Sequence, residues 1–508
     1  MPLPDTFASV LPRRLVPIVA TGQAASVEAQ LASVSLEQVH RSDWDPRSAI
    51  ATHGEADATA FTVMTWNVLA QNLIKRDLFP YCTKSQLKWR SRKARLLAEF
   101  EFYRPDIACL QEVDKELWQS TWAPLLGTLG YAWRYYGYHT KRHGCCLAWK
   151  RQKWRCLDYS TVDLDASQRV GRLHLPTDNV AQVIALARRA SHSCAPQSTT
   201  PSPAPTPSVV AADQTQPHHL SSDRCWQPDH QRSPQEQVLL VSNCHLYWSP
   251  YGDVCKLAQV AVIERALAQL QLRLRCTFPA LMCGDFNSAP TSAVYQALRH
   301  TPDAISMDQL LQCFDADPKL RAIQYDASQE VYRSVALPDG PDEAMESVAH
   351  TTPSESSSPL TTAQRREIVG ALLDACAACP KTVSAYSYYH SIDPAHYDSS
   401  PDSNDDPSHP YAIILYRPEQ WHGEPRLSTY SRYQGLLDYM FVQNPVTLTS
   451  GSGASQAADS ANGADQTRYT VRPTALLTLP PESALAPAIP NDAFASDHLS
   501  LLAEFQFD

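Results

Sequence analysis

Asp285 and Asn287 stand two residues apart where the apolar run Leu281-Met282-Cys283 ends in Gly284. On an extended chain, residues i and i+2 point to the same side. A carboxylate and a carboxamide would therefore leave the end of a buried strand together. That pairing suits the activation of a water beside a phosphate, although the same letters also make an ordinary strand-to-turn step. Five further strand-like runs carry polar side chains in the same way: Asn67 sits near the end of Phe61–Leu69, Glu112 follows Ile107–Leu110, and Asn243 and His245 follow Val238–Val241. Asp438 interrupts Leu436–Phe441, and Asp497-His498 precedes the final run Leu499–Phe505. A strand-ending Asn or a buried, hydrogen-bonded His explains any one of these. A carboxylate inside an apolar strand demands a partner, and six such strand ends in one chain point to a common site.

The elements that must position them alternate between strand and helix. Leu96, Phe100 and Tyr103, widened by Leu97, give the apolar stripe of a helix over 85–103. Lys88, Arg92 and Arg95 fall at the same spacing on another face, read as a solvated basic face or as a contact to a phosphate backbone. A second helix follows Asp253, with Leu257, Val260, Ile263, Leu267 and Leu270 on its packed face, and a third is expected over 362–378. Asn179–Leu186 reads as a strand. The stretch 131–154 interleaves aromatic and basic residues, which serves hairpin packing and could also stack bases and neutralise phosphates.

Composition sets the organisation. A net charge of −10 argues against a protein that coats nucleic acid broadly, but not against an enzyme with a basic cleft or a cation in its site. The 39 prolines against 16 glycines gather in Ser-, Thr- and Gln-rich segments, which sets the folded body at 60–508 with disordered insertions near 188–236, 335–361, 398–410 and 448–468. Residues 1–59 read as a partly disordered extension. His218-His219 is too isolated to make a metal site, and Cys376-Ala-Ala-Cys379 lies near a helix end with no second cysteine pair, which favours packing over zinc. Cys109, Cys244 and Cys283 sit in apolar runs and read as reduced core thiols. No run is long enough to cross a membrane as a helix, and no secretory layout is expected. Arg13 and Arg14 would suit a mitochondrial presequence, Asp5 and Glu28 count against one, and a cytoplasmic or nuclear location is expected.

The order Trp66-Asn67, Leu110-Gln111-Glu112, Asn243-Cys244-His245, Gly284-Asp285-Phe286-Asn287, Leu437-Asp438-Tyr439 and Ser496-Asp497-His498 resembles the endonuclease/exonuclease/phosphatase superfamily. The strings Trp66–Gln71, Leu87–Arg92, Cys109–Asp114 and His245–Trp248 resemble its deadenylase-related branch of nocturnin, Angel proteins and fungal Ngl-type RNA exonucleases. Where the family often has Phe-Thr before Gly-x-Leu-Asp, this chain has Leu427-Ser428-Thr429. The resemblance implies an α/β four-layer sandwich, two mixed β-sheets packed face to face with helices outside. It also implies a phosphodiesterase dependent on Mg²⁺, with Mn²⁺ as a substitute, held by oxygen ligands. Glu112, Asn67 and Asp497 are then expected at the metal. Asp285 serves the attacking water, Asn287 positions that water or the scissile phosphate, and His498 faces the phosphate with its ring fixed by Asp438. His245 and Asn243 touch the phosphate. The expected substrate is an RNA 3′ end, cut 3′→5′ to nucleoside 5′-monophosphates. Hydrolysis of a small phosphorylated molecule such as a dinucleotide cofactor, or RNA binding without catalysis, are the alternatives. No leucine-rich-repeat docking segment and no membrane partner are expected, and the oligomeric state stays open.

Overall fold

The structure, a computed structural model, describes residues 13–18, 59–165, 172–189, 218–221, 236–301, 305–326, 328, 330–334, 360–393, 422–431, 433–445 and 469–508. Most of each segment expected as a disordered insertion, and most of the N-terminal extension, lies outside the described residues.

Two mixed sheets face each other. The first holds β1 (Leu15–Pro17), β2 (Ala60–Asn67), β3 (Ile107–Asp114), β4 (Tyr131–Gly137) and β5 (His143–Lys150). The second begins with β6 (Trp154–Asp163) and β7 (Val180–Arg188). The chain then returns to the first sheet with β8 (His218–Ser221) and to the second with β9 (Val238–His245), β10 (Ala280–Asp285), β11 (Thr382–Ser384) and β12 (Asp438–Gln443). It closes in the first with β13 (Val471–Leu477) and β14 (Leu501–Phe507). The strand orders are β1-β13-β14-β2-β3-β5-β4-β8 and β11-β12-β10-β9-β7-β6. Among the described strands of these two sheets, β2 with β3 and β9 with β10 pair in parallel and the other neighbours are antiparallel.

Strand alternation explains the layers. Odd positions of β9, such as Leu239 and Val241, meet Val63, Cys109, Leu147 and Leu281 between the sheets. Even positions, such as Leu240, face α2 (Asp253–Leu274) and α3 (Thr362–Ala377) with Leu257, Ile263, Leu270, Ile368 and Leu372. Beyond the first sheet, Met64, Ala108 and Leu110 pack under α1 (Trp89–Tyr103) through Leu96, Phe100 and Tyr103. The result is helix, sheet, sheet, helix, the four layers expected. Cys109, Cys244 and Cys283 are buried free thiols in this core, and Cys376 packs with its Sγ 3.8 Å from the Leu257 carbonyl oxygen. No helix among the described residues is long and apolar enough to cross a membrane.

Two expectations change. Lys88 is exposed ahead of α1, but Arg92 and Arg95 are buried, so the three do not form one solvated basic face. Part of the N-terminal extension is also built into the fold. β1 pairs with β13, and Arg13 is 5% exposed, with Nε donating to the Thr478 carbonyl at 2.8 Å and Nη1 to Ser500 Oγ at 3.0 Å. Ser500 Oγ in turn donates to Glu99 at 2.7 Å, and Arg13 lies 3.6 Å from the same carboxylate. Burial pushes the Glu99 carboxyl up, and Arg13 and Ser500 oppose that shift. Breaking a buried ion pair on one side strands the other charge. Arg13→Met should therefore cost about 3 kcal/mol of stability, read as a lower midpoint in urea; an unchanged midpoint would show the pair to be dispensable.

Candidate active site

The strand ends that carry the chemistry meet at one edge of the sandwich. Asn67 closes β2 beside Gln111 of β3, His245 closes β9 beside Asp285, and Asp285 faces Asp438 at the start of β12. Gly284 lets the β9 and β10 ends approach so closely. Its φ is +152°, and a Cβ there would stand 2.1 Å from the Cys244 carbonyl oxygen.

Glu112 owes its aim to a bulge. Leu110 opposes Cys146 and Val113 opposes Gly144, so Gln111 and Glu112 together face Cys145 alone. Glu112 takes φ +55°, a left-handed conformation costly for a side chain of this kind and common at functional sites. Its Oε1 accepts from Asn67 Nδ2 at 2.8 Å and its Oε2 from the Ala70 amide at 2.9 Å. The same Asn67 nitrogen donates to Asp285 Oδ2 at 3.0 Å, and Asn67 Oδ1 accepts from the Leu69 amide at 3.0 Å. A backbone N–H can only donate, which fixes the carbonyl on that side. Asn67 therefore presents its nitrogen to the carboxylates. It bridges Glu112 and Asp285, and its oxygen, expected at a metal, accepts from the Leu69 amide.

Asp285 is 1% exposed, and its Oδ1 accepts from the Asn287 amide at 2.9 Å. Its Oδ2 lies 3.6 Å from His245 Nε2 and 3.8 Å from His498 Nε2. Asn287 leaves the strand at φ +48°, its Nδ2 donating to the Leu246 carbonyl at 3.0 Å, while buried Lys256 holds its carbonyl at 2.5 Å. His498 Nδ1 is 2.8 Å from Asp438 Oδ2, which also accepts from Ser428 Oγ at 2.6 Å. Ser428 thus fills the place where the chain departs from Phe-Thr. Its hydroxyl takes the Leu437 and Asp438 amides and must donate to the carboxylate. Thr429 Oγ1 holds the Asp497 carbonyl at 2.7 Å.

Asn243 does not join the group. It shares a face with His245 but sits one pleat deeper, 0% exposed between the sheets. Its Nδ2 donates to the Leu110 and Cys146 carbonyls at 3.1 and 2.9 Å, and its Oδ1 accepts from Gln111 at 2.8 Å. An amide so engaged pins the sheets together and cannot reach a phosphate.

Burial raises the carboxyl groups of Glu112, Asp438 and Asp497, opposed by His245 for the first and by His498 for the other two. His498 responds in the opposite sense. Burial alone would lower it, but Asp438, Asp285 and Asp497 together hold it well above the ordinary histidine value.

A family model described as "Endonuclease/Exonuclease/phosphatase family" matches residues 64–498. The chain belongs to that family. Among curated relatives, it is 29% identical over 255 residues to "RNA exonuclease NGL2" of Saccharomyces cerevisiae, covering 48% of this chain and 42% of that protein. It is 25% identical over 466 residues to "Probable RNA exonuclease C9B6.11c" of Schizosaccharomyces pombe, covering 89% of this chain and 77% of the relative. The aligned part of NGL2 is thus under half of that protein. Among solved structures, ANGEL2, described as a 2′,3′-cyclic phosphatase, matches with a TM-score of 0.48 at 20% identity over 88% of this chain and 95% of the other.

Members of the family depend on a divalent cation, and the donor set here suits one. Asp285, Asp438 and His498 offer atoms within 4.8 Å of one another. His498 Nδ1 and Asp438 Oδ2 hold each other, which leaves Asp438 Oδ1 buried and without a hydrogen-bond partner. Asp497 Oδ1 is a buried acceptor with no hydrogen-bond partner, the kind of atom a hard cation completes. Sequence reasoning names Arg92, Ser428 and Ser496 but gives none of them its role. Ser496 Oγ donates to the Asn67 carbonyl at 2.7 Å, a long-range tie that local spacing cannot announce.

Proposed function

We propose that the protein is a divalent-cation-dependent 3′→5′ exoribonuclease that releases nucleoside 5′-monophosphates from RNA 3′ ends. The observation that carries this reading is the cluster of Glu112, Asp285 and the Asp438–His498 pair, with the Asp497 carboxylate close enough to act on Glu112 and His498 electrostatically. Its support for RNA as substrate is the similarity, over most of the chain, to a fungal protein described as a probable RNA exonuclease.

Glu112 and Asp497 would hold the cation, which supplies Lewis-acid charge at the scissile phosphate. Asp285, its Oδ1 fixed by the Asn287 amide, takes the proton of the attacking water as the new P–O bond forms and the P–O3′ bond breaks. His498 donates from Nε2 to a non-bridging phosphate oxygen as negative charge grows there, and Asp438 holds its other nitrogen. The leaving 3′-oxygen takes its proton from solvent, and His245, with Nε2 3.6 Å from Asp285 Oδ2, would contact the phosphate. Asn67 keeps Glu112 and Asp285 in register and touches no substrate.

The assay offers purified protein with Mg²⁺ or Mn²⁺ an oligo(A), a mixed-sequence RNA, the matched DNA, an RNA ending in a 2′,3′-cyclic phosphate, and a dinucleotide phosphate. A ladder of RNA shortened from the 3′ end, with 5′-monophosphates as product, is expected. Phosphate release from the dinucleotide alone, or opening of the cyclic phosphate without shortening, would overturn the reading.

A further inference from the structure

Arg92 sits in the first turn of α1 with 0% exposure. Its four hydrogen bonds all end on carbonyl-type oxygens. Nη2 donates to Val68 and Leu69 at 2.7 and 2.6 Å, Nη1 to the side chain of Gln71 at 3.2 Å, and Nε to Ala495 at 2.7 Å. Those oxygens belong to the two loops that build the candidate site from opposite ends of the sequence.

On one side, Leu69 is held at φ +55°, and the amides of Leu69, Ala70 and Gln71 go in turn to Asn67, Glu112 and Asp114 at 3.0, 2.9 and 2.7 Å. On the other, Ala495 leads directly into Ser496, Asp497 and His498, with the His498 amide donating to Ser496 Oγ at 3.2 Å. A planar guanidinium with five donors in a fixed fork can span both loops at once, which a lysine ammonium cannot. Its charge also lies behind the Glu112, Asp114 and Asp497 carboxylates. Burial lowers Arg92 to about 10, opposed by those three carboxylates, so it stays protonated at neutral pH.

We infer that Arg92 is a positioning residue: it locks the Glu112 loop to the Asp497–His498 loop, so that cation binding depends on a guanidinium that touches neither cation nor substrate. Its kinetic consequence rests on the exonuclease reading above; its consequence for cation binding does not.

The test uses the full chain without substrate and follows Mn²⁺ binding by electron paramagnetic resonance. Thermal unfolding is run in parallel, and then kcat and KM on oligo(A) are measured. For Arg92→Met the Mn²⁺ dissociation constant should rise about 10-fold or more, as expected for a residue that orients ligands. The kcat should fall while KM for oligo(A) stays within about threefold, because an alignment role acts after binding. Arg92→Lys keeps the charge and loses the fork, and should be impaired nearly as much. Wild-type Mn²⁺ affinity in a folded Arg92→Met protein, or full recovery with Lys, would overturn the inference. If Arg92→Met does not fold, Gln71→Leu removes one of the four bonds and keeps the charge; it should weaken Mn²⁺ severalfold, and unchanged affinity there counts against the clamp. A wild-type protein that binds Mn²⁺ but shortens no RNA would sink the exonuclease reading and leave the titration standing as the test of Arg92.

Discussion

Glu112→Gln should lower hydrolysis of oligo(A) by on the order of 10²- to 10³-fold while leaving the fold as stable as before. The two effects separate because the side chain's two tasks differ. Structurally, Glu112 is an acceptor for Asn67 Nδ2 and the Ala70 amide. Glutamine keeps the shape and one acceptor and loses one hydrogen bond, worth about 1 kcal/mol. Against that loss, burial already disfavours the Glu112 charge, so a neutral group in its place relieves a cost. Chemically, the charge is the point, since a hard cation takes carboxylates far better than carboxamides. The left-handed backbone at Glu112 argues the same way, because a strained residue in a bulge is retained where its aim matters. The measurements are kcat across a Mg²⁺ titration and the unfolding midpoint. Hydrolysis at the wild-type rate, with Mg²⁺ dependence unchanged, would remove Glu112 from the metal site.

Much of this site was legible because a polar residue at the end of an apolar strand is costly to explain away, and six of them share one order. Asp285, Asp438, His245 and His498 were found that way. What the letters hid was depth and distance. Asn243 and His245 share a face, yet only the position of the strand end relative to the sheet edge decides that one is interior and the other in the pocket. The bulge that aims Glu112 depends on which residues of β5 lie opposite, and pairing is not written in β3. Arg92 and Arg95 followed helical spacing on the face away from the Leu96 stripe, which reads as solvated. They are buried because residues 489–495, some 400 positions later, fold over that face. β1 was overlooked for the same reason: three residues carry no periodicity, and the strand's partner is more than 450 positions away.

Asp438→Asn gives the sharpest expected signature, because the local hydrogen bonds dictate how the new side chain must sit. Ser428 Oγ takes two backbone amides and so has only its proton to give, which goes to Asp438 Oδ2. The asparagine carbonyl must therefore occupy that place, where it also accepts from His498 Nδ1. The amide nitrogen then falls at Oδ1, a buried atom with no partner. With the Nδ1–H kept, a neutral His498 presents a bare Nε2, an acceptor where the reaction needs a donor. Only the protonated ring can serve. In the wild type the ring is protonated well above the ordinary histidine range, against the pull of burial and mainly because of Asp438. Removing that charge lowers the His498 pKa, so activity that requires the cationic ring must be lost earlier as pH rises. The expected result is an alkaline limb of the kcat–pH profile moved to lower pH. The deficit should be on the order of 10²-fold at pH 8 and smaller near pH 6, where the ring regains its proton. The unfolding midpoint at each pH separates this from a loss of structure. A uniform reduction with the wild-type profile would mean that Asp438 shapes the pocket without setting the charge of His498, and the donor role proposed for that histidine would fall with it.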